Sequence, residues 1–358
     1  MGRSGISPAL SLYLDTLRVL AAFAVLLDHL LLRRFHGLEA DLNRNFDVGG
    51  DGVMVFFAVS GFVIAHAAQD RSASAFAFAR LTRLWSVFIP AVILTYLLDQ
   101  WGSSINPKTY DGSFYNPLPF AGYLFYGFTL SNEWVFGAQR IGSNGPLWSL
   151  SYEAAYYALF AIGFYATGLR RWVLLGVGAW LAGPMVLLYL PCWLFGVGAY
   201  WILKYPPRLN QSVLWLGALG PAAIYIGVFM TGHPSAGPGI APNLGRHAHL
   251  VWDLAVAGLT AMSILSVGIL SKNARVPNIP ALRYLAGASF SLYVCHFPLL
   301  QITSALTDWS GLGFIAAGAT TAIIGSLAFA AIFERPLPKI RSYLRMISSR
   351  WAMNRVTP

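Results

Sequence analysis

The chain has 358 residues, 56% of them hydrophobic and only 11% charged. Soluble domains carry about 25% charged residues, so a water-soluble enzyme is excluded and a polytopic membrane protein is expected. The net charge of +10 could suggest a nucleic-acid partner, but the placement of the basic residues along the chain argues for membrane topology instead.

Ten runs are long and apolar enough to be read as spans, at about 12–32, 51–69, 83–100, 147–167, 171–188, 190–203, 212–231, 250–270, 284–304 and 311–333. The first is not a cleaved leader, being too long, internally charged and without a small-residue cleavage site. With the N-terminus in the cytoplasm, the inner segments hold most of the 24 Lys and Arg, among them Arg71, Arg80, Arg83, Arg170, Arg171, Lys204, Lys272, Arg275, Arg283, Arg335 and Arg341. The positive-inside rule then puts both termini in the cytoplasm and removes the nucleic-acid reading. The expected fold is all-α: a transmembrane helical bundle forming one integral domain over 1–358. It has a long outer loop at about 101–146 and a basic cytoplasmic tail at 334–358.

The first span, LDTLRVLAAFAVLLDHLLL from Leu14 to Leu32, contains Asp15, Arg18, Asp28 and His29. Ionisable groups at membrane depth are costly and mark functional sites. Eleven positions separate Arg18 from His29, which returns to nearly the same helix face about 16 Å farther along the axis. His29 suits general-base work on a hydroxyl, or it hydrogen-bonds a neighbouring helix. Arg18 needs an anion or dipole, and Asp15 three residues earlier supplies a simple one-turn partner.

In the second span, GGDGVMVFFAVSGFVIA, Ser60-Gly61 interrupts a bulky run, giving either close helix packing or room for a ligand. Arg80 and Arg83, one turn apart in FARLTRLWSVFIP, suit headgroup anchoring or phosphate binding. GPLWSLSYEAAYYALF offers Trp148 as an interfacial anchor. It also places Glu153 about two turns into the membrane from the outer side, near the depth assigned to His29, where His29⁺ or an arginine would partner it; protonated, Glu153 would be a packing residue. Span nine, LRYLAGASFSLYVCHFPLL, puts His296 in its outer half. His247 and His249 fall in an outer loop and are read as solvated. Cys192 and Cys295 lie in apolar runs, and no HExxH or CxxC pattern supports a metal.

These stretches together resemble the membrane acyltransferase-3 family, the multi-pass O-acyltransferases of surface polysaccharides. Arg18 to His29 is similar to its R-x10-H motif, and FFAVSGF to its second-helix signature. Arg80 and Arg83 resemble its paired arginines, and PLWSLSYEAAYY its W-S-L-x-x-E stretch. SLYVCHFP and Glu334-Arg335-Pro336 are similar to its late motifs. The resemblance implies a bacterial inner-membrane enzyme using acyl-CoA, most often acetyl-CoA, as cosubstrate and no resident cofactor. It implies a hydroxyl acceptor on an extracytoplasmic polysaccharide or lipid-linked glycan. By the same likeness His29 would be catalytic with Arg18 and Glu153, Arg80 and Arg83 would bind the donor, and Ser60, Gly61, Trp148 and His296 would line the cavity or meet the acceptor. The rival readings are a transporter or flippase for a glycan or anionic metabolite, and acyl transfer to a small molecule or lipid.

Overall fold

The computed structural model describes residues 6–32, 35, 47–112, 114–135, 138–231 and 249–343. Arg33, Arg34, Arg44 and Arg246, which the topology reading assigns to outer segments, as well as His247 and the tail beyond 343, lie outside them. Thirteen α-helices follow one another among the described residues. They are α1 (Pro8–Leu30), α2 (Val48–Ala68), α3 (Ala73–Ile105), α4 (Phe120–Thr129), α5 (Trp148–Tyr165), α6 (Gly168–Ala182) and α7 (Pro184–Leu188). The remainder are α8 (Leu190–Lys204), α9 (Gln211–Thr231), α10 (Leu250–Leu270), α11 (Pro280–Ala286), α12 (Ser289–Leu306) and α13 (Gly311–Phe329).

The helix starts follow local chemistry. Ser7, Asp47 and Ser72 cap α1, α2 and α3 by accepting the backbone N–H of Leu10, Gly50 and Ala75 at 3.1, 2.6 and 3.3 Å, which satisfies otherwise orphaned donors. The expected break between spans five and six is real. Gly183, at φ +85°, ends α6, and Pro184 and Pro191 open α7 and α8, positions where proline loses no helical bond. FAGYLFYGFT forms the ten-residue α4, too short to cross a bilayer.

Among the described residues six helices, α1, α2, α3, α9, α10 and the stretch Gly311–Tyr343, are long and apolar enough to span a membrane. The bent pair α11 and α12, inclined at 55°, makes a seventh candidate. α6 and α8 have 15 residues each and α5 carries Ser149, Ser151 and Glu153, so these three fall short of that measure and the expectation of ten spans goes beyond it. α3, with 33 residues, would be about 50 Å long against a hydrocarbon thickness of about 30 Å, so it must tilt or project. Large apolar side chains such as Leu216, Met230 and Leu312 are more than two-thirds exposed, as expected of surfaces that face lipid rather than water.

The core is built on α2. Gly61 meets the Trp193 carbonyl of α8, and Gly196 of α8 meets the Ala58 carbonyl, leaving no space for a Cβ at either position. The two backbones touch, as small residues allow between membrane helices. Around this seam Trp193, Tyr152, Tyr156, Tyr189 and Phe62 are fully buried. Gly61 is thereby corrected from a cavity-lining candidate to a packing residue. Glu334, assigned from sequence to the start of a basic tail, is instead buried at 4% exposure in a π-helical turn, Ala330–Glu334. The described helix continues to Tyr343.

Candidate active site

One cavity, about 140 Å³, lies among α1, α2, α3, α5 and α12. Its polar lining includes Arg18, Arg80, Arg83, Ser60, Glu153 and Tyr157. α3 presents Arg80 and Arg83 one turn apart. Arg83 Nη2 lies 2.6 Å from Glu334 Oε1. The π-helical turn brings Glu334 to the start of α12, where its Oε2 accepts the N–H of Ser291 at 3.2 Å and its hydroxyl at 2.5 Å. A carboxylate there satisfies helix N-terminal donors and meets the positive end of the helix dipole. Arg80 Nε, by contrast, is buried with no hydrogen-bond partner among the described residues, the condition of a cation awaiting an anionic ligand. Arg18 Nη1 stands 3.8 Å from Asp15 Oδ1, so the one-turn pair exists but is long. Glu153 accepts from Ser60 Oγ and, at 2.6 Å, from the Tyr157 hydroxyl; Trp193 Nε1 donates to Ser60 Oγ at 3.3 Å.

The second cavity, about 480 Å³, is lined by His29, Asp28, Asp47, Asp253, Trp148, Tyr293 and the loop residues Asn132, Glu133, Arg140 and Asn144. The loop belongs to the long connection expected at about 101–146. Asp99 of α3 holds it by accepting the Ser143 N–H at 2.9 Å and the Ser143 hydroxyl at 2.6 Å. Gly142, at φ +58°, passes directly against Asp99 and Tyr123, a conformation and approach that favour glycine.

Inside this cavity the tautomer of His29 can be deduced. His296, 1% exposed, has Nδ1 3.0 Å from the Leu292 carbonyl and Nε2 3.0 Å from His29 Nδ1. A carbonyl only accepts, so Nδ1 of His296 carries a proton and its Nε2 is an acceptor when the ring is neutral. His29 must then donate from Nδ1, so that when its ring is neutral its Nε2 is the unprotonated, basic nitrogen. Phe297 packs edge-on against His29 with ring centroids 5.0 Å apart.

Val53 and Tyr293 line both cavities. The arginine cavity and the histidine cavity are therefore neighbours across these two side chains, with α1 running past both. Tyr293 is held there by donating to the Pro146 carbonyl at 2.8 Å, with Ser149 Oγ at 2.7 Å.

Three sequence expectations change. Glu153 does not partner His29; it lies in the arginine cavity with Ser60 and Tyr157, because α5 begins only at Trp148 and carries Glu153 away from the His29 end. Arg18 lines the same cavity as Arg80 and Arg83 and not the one holding His29, since the rise along α1 separates the two. Ser60 lines the arginine cavity and Trp148 the histidine cavity, while His296 sits behind His29 rather than at a cavity wall. The sequence reading missed Tyr157, Tyr293, Asn132 and Asn144. Of these only Tyr157 carried a signal, standing one turn after Glu153. Among the described residues no group of His, Cys, Asp or Glu is arranged to hold a metal ion, and Cys192 and Cys295 are buried and unbridged.

Comparison with known proteins brings these observations together. Residues 11–333 match the acyltransferase-3 family, described as an acyltransferase domain. The chain belongs to the acyltransferase-3 family. It is also similar to an O-acetyl transferase of Shigella phage Sf6, 28% identical over 160 residues, which is 41% of this chain and 44% of that relative. The chain thus spans less than half the length of this curated relative. No solved structure matches it. Within this acyltransferase-3 protein, a multi-pass membrane protein by its helices and its family, the Arg18-to-His29 motif runs from one cavity into the other. The late Glu334 motif reaches Arg83, and the SLYVCHFP motif supplies His296 to His29.

Proposed function

We propose that this acyltransferase moves an acyl group, most often acetyl, from cytoplasmic acyl-CoA to a hydroxyl of an extracytoplasmic glycan across a bacterial inner membrane. The observation that carries the reading is the adjacency of the two cavities, which share Val53 and Tyr293 as lining. Guanidinium groups suited to anions line one, and the His29 imidazole lines the other. Family membership and the likeness to a phage O-acetyl transferase support the chemistry.

Arg80, Arg83 and Arg18 hold donor phosphates through charge-assisted hydrogen bonds, and the thioester enters toward Tyr293. The acceptor hydroxyl gives its proton to His29 Nε2 as its oxygen bonds to the thioester carbonyl carbon. The C–S bond then breaks, and the CoA sulfur leaves with the proton from the imidazolium. The same nitrogen could instead carry the acyl group between donor and acceptor; both routes require Nε2 unprotonated. His296 positions His29 through Nδ1.

The test uses membranes containing the protein, radiolabelled acetyl-CoA and the host's surface glycan, with wild type beside His29→Ala. Label should pass to glycan in wild type and fall about 100-fold or more in the variant, the range for loss of a general base. Equal labelling by the two proteins would overturn the role of His29. No consumption of acetyl-CoA or of longer acyl donors by folded wild type would return the transporter reading.

A further inference from the structure

Two of the polar residues lining the histidine cavity, neither used by the chemistry at His29, carry an unsatisfied side-chain oxygen. Asn132 and Asn144 are each 1% exposed and line the cavity, and the side-chain carbonyl oxygen of each has no hydrogen-bond partner among the described residues. Their orientation follows from their neighbours. Asn144 Nδ2 donates to the Val294 carbonyl at 2.8 Å and to Thr95 Oγ1 at 3.0 Å. A carbonyl cannot donate, so the amide nitrogen faces the protein and the oxygen is what remains. Asn132 Nδ2 faces the Gln139 carbonyl at 3.4 Å, and its backbone carbonyl accepts the Gln139 N–H at 2.7 Å.

Asn144 is fixed by the helix that carries His296. Pro298 lies inside α12 and has no N–H to give the carbonyl four residues earlier, which is Val294. Asn144 takes that vacated carbonyl, two residues from His296. A buried amide oxygen left without a donor is costly, and two in one cavity beside the basic histidine call for a ligand rich in donors.

We propose that Asn132 and Asn144 are acceptor-recognition residues, each accepting a hydrogen bond from a hydroxyl of a polyhydroxylated acceptor beside the hydroxyl that His29 deprotonates. The inference rests on the acyltransferase reading above and names what its acceptor must present: at least two further hydroxyl donors on the unit being acylated. An acceptor with a single hydroxyl on an alkyl chain leaves both amides unsatisfied and is disfavoured.

The experiment measures acyl transfer to short oligosaccharides cut from the host glycan, to versions of them deoxygenated next to the acylated position, and to a simple long-chain alcohol. Wild type, Asn132→Ala and Asn144→Ala are compared in membranes. Asn132 makes the weaker protein contact, so its variant keeps the proposal testable if Asn144→Ala misfolds. The expected result is an acceptor KM raised about three- to tenfold in Asn132→Ala, with donor KM at its wild-type value. The deoxy acceptor should be poor for wild type and no worse for the variant. An unchanged acceptor KM in Asn132→Ala, or a long-chain alcohol acylated as well as the oligosaccharide, overturns this proposal while leaving the acyltransferase reading intact. Failure of wild type to acylate any hydroxyl compound overturns both.

Discussion

At the scale of single residues, the tautomer of neutral His29 is set by a neighbour 267 positions away. A histidine alone exchanges its proton between two nitrogens, and only an acceptor fixed at Nδ1 makes Nε2 the base. His296 supplies that acceptor because its own Nδ1 is committed to the Leu292 carbonyl. His296→Ala should therefore lower kcat about ten- to a hundredfold, the usual cost of losing the partner that orients a functional imidazole, and leave donor KM unchanged. His296→Gln keeps a carbonyl that can accept from His29 and should recover part of the loss. Equal damage from the two substitutions would reduce His296 to a packing residue. The two arginines of α3 separate in the same way. Arg80→Ala should raise donor KM about ten- to a hundredfold, since charge-assisted bonds to phosphate contribute about 1.5–3 kcal/mol, and leave thermal stability near wild type.

At the scale of elements, irregular helices place the polar groups. The π-helical turn after α13 and the proline inside α12 each free or redirect a backbone group that a regular helix would have consumed. Glu334 reaches both Ser291 and Arg83 because of the first, and Asn144 finds Val294 because of the second. Arg83 accordingly has a structural partner that Arg80 lacks. Removing Arg83 leaves a carboxylate with 2% side-chain exposure without its cation. The cost for a fully buried pair is about 3–5 kcal/mol; the Arg83 side chain is 37% exposed, so about 2 kcal/mol is expected. Arg83→Ala should thus lower the unfolding midpoint in detergent as well as weaken donor binding, whereas Arg83→Lys should restore stability more than binding. A midpoint equal to that of Arg80→Ala would show that the Glu334 pair contributes nothing.

At the scale of the whole molecule, the proposed function places anionic donor and hydroxyl acceptor in neighbouring cavities, with Val53, 5% exposed, and Tyr293 between them. Val53→Trp should fill the boundary between the cavities, abolish transfer and leave acyl-CoA binding unchanged, while Val53→Ala should transfer at close to the wild-type rate. Transfer that survives Val53→Trp in folded protein would mean that donor and acceptor meet elsewhere. Arginine and histidine lie on one face of α1 at a spacing that puts each in the lining of a different cavity, as the proposed function requires.

The amino-acid sequence by itself determined the class of fold, the position of the main apolar helices and the motif residues. Those properties follow from local composition and from the 3.6-residue period, which place Arg18 above His29 on one helix without knowledge of any other. Which side chains meet was a matter for the tertiary structure. Depth inferred from distance to a helix end put Glu153 beside His29, but the packing of α2 on α8 through Gly61 and Gly196 and the late start of α5 put it beside Ser60 and Tyr157. Nothing local marks Asn144 as different from other loop asparagines. Its importance comes from Pro298, more than 150 positions later, leaving a carbonyl open on a helix that folds against the loop. Contacts between groups so far apart in the chain depend on how whole helices pack, and no window of sequence contains that information.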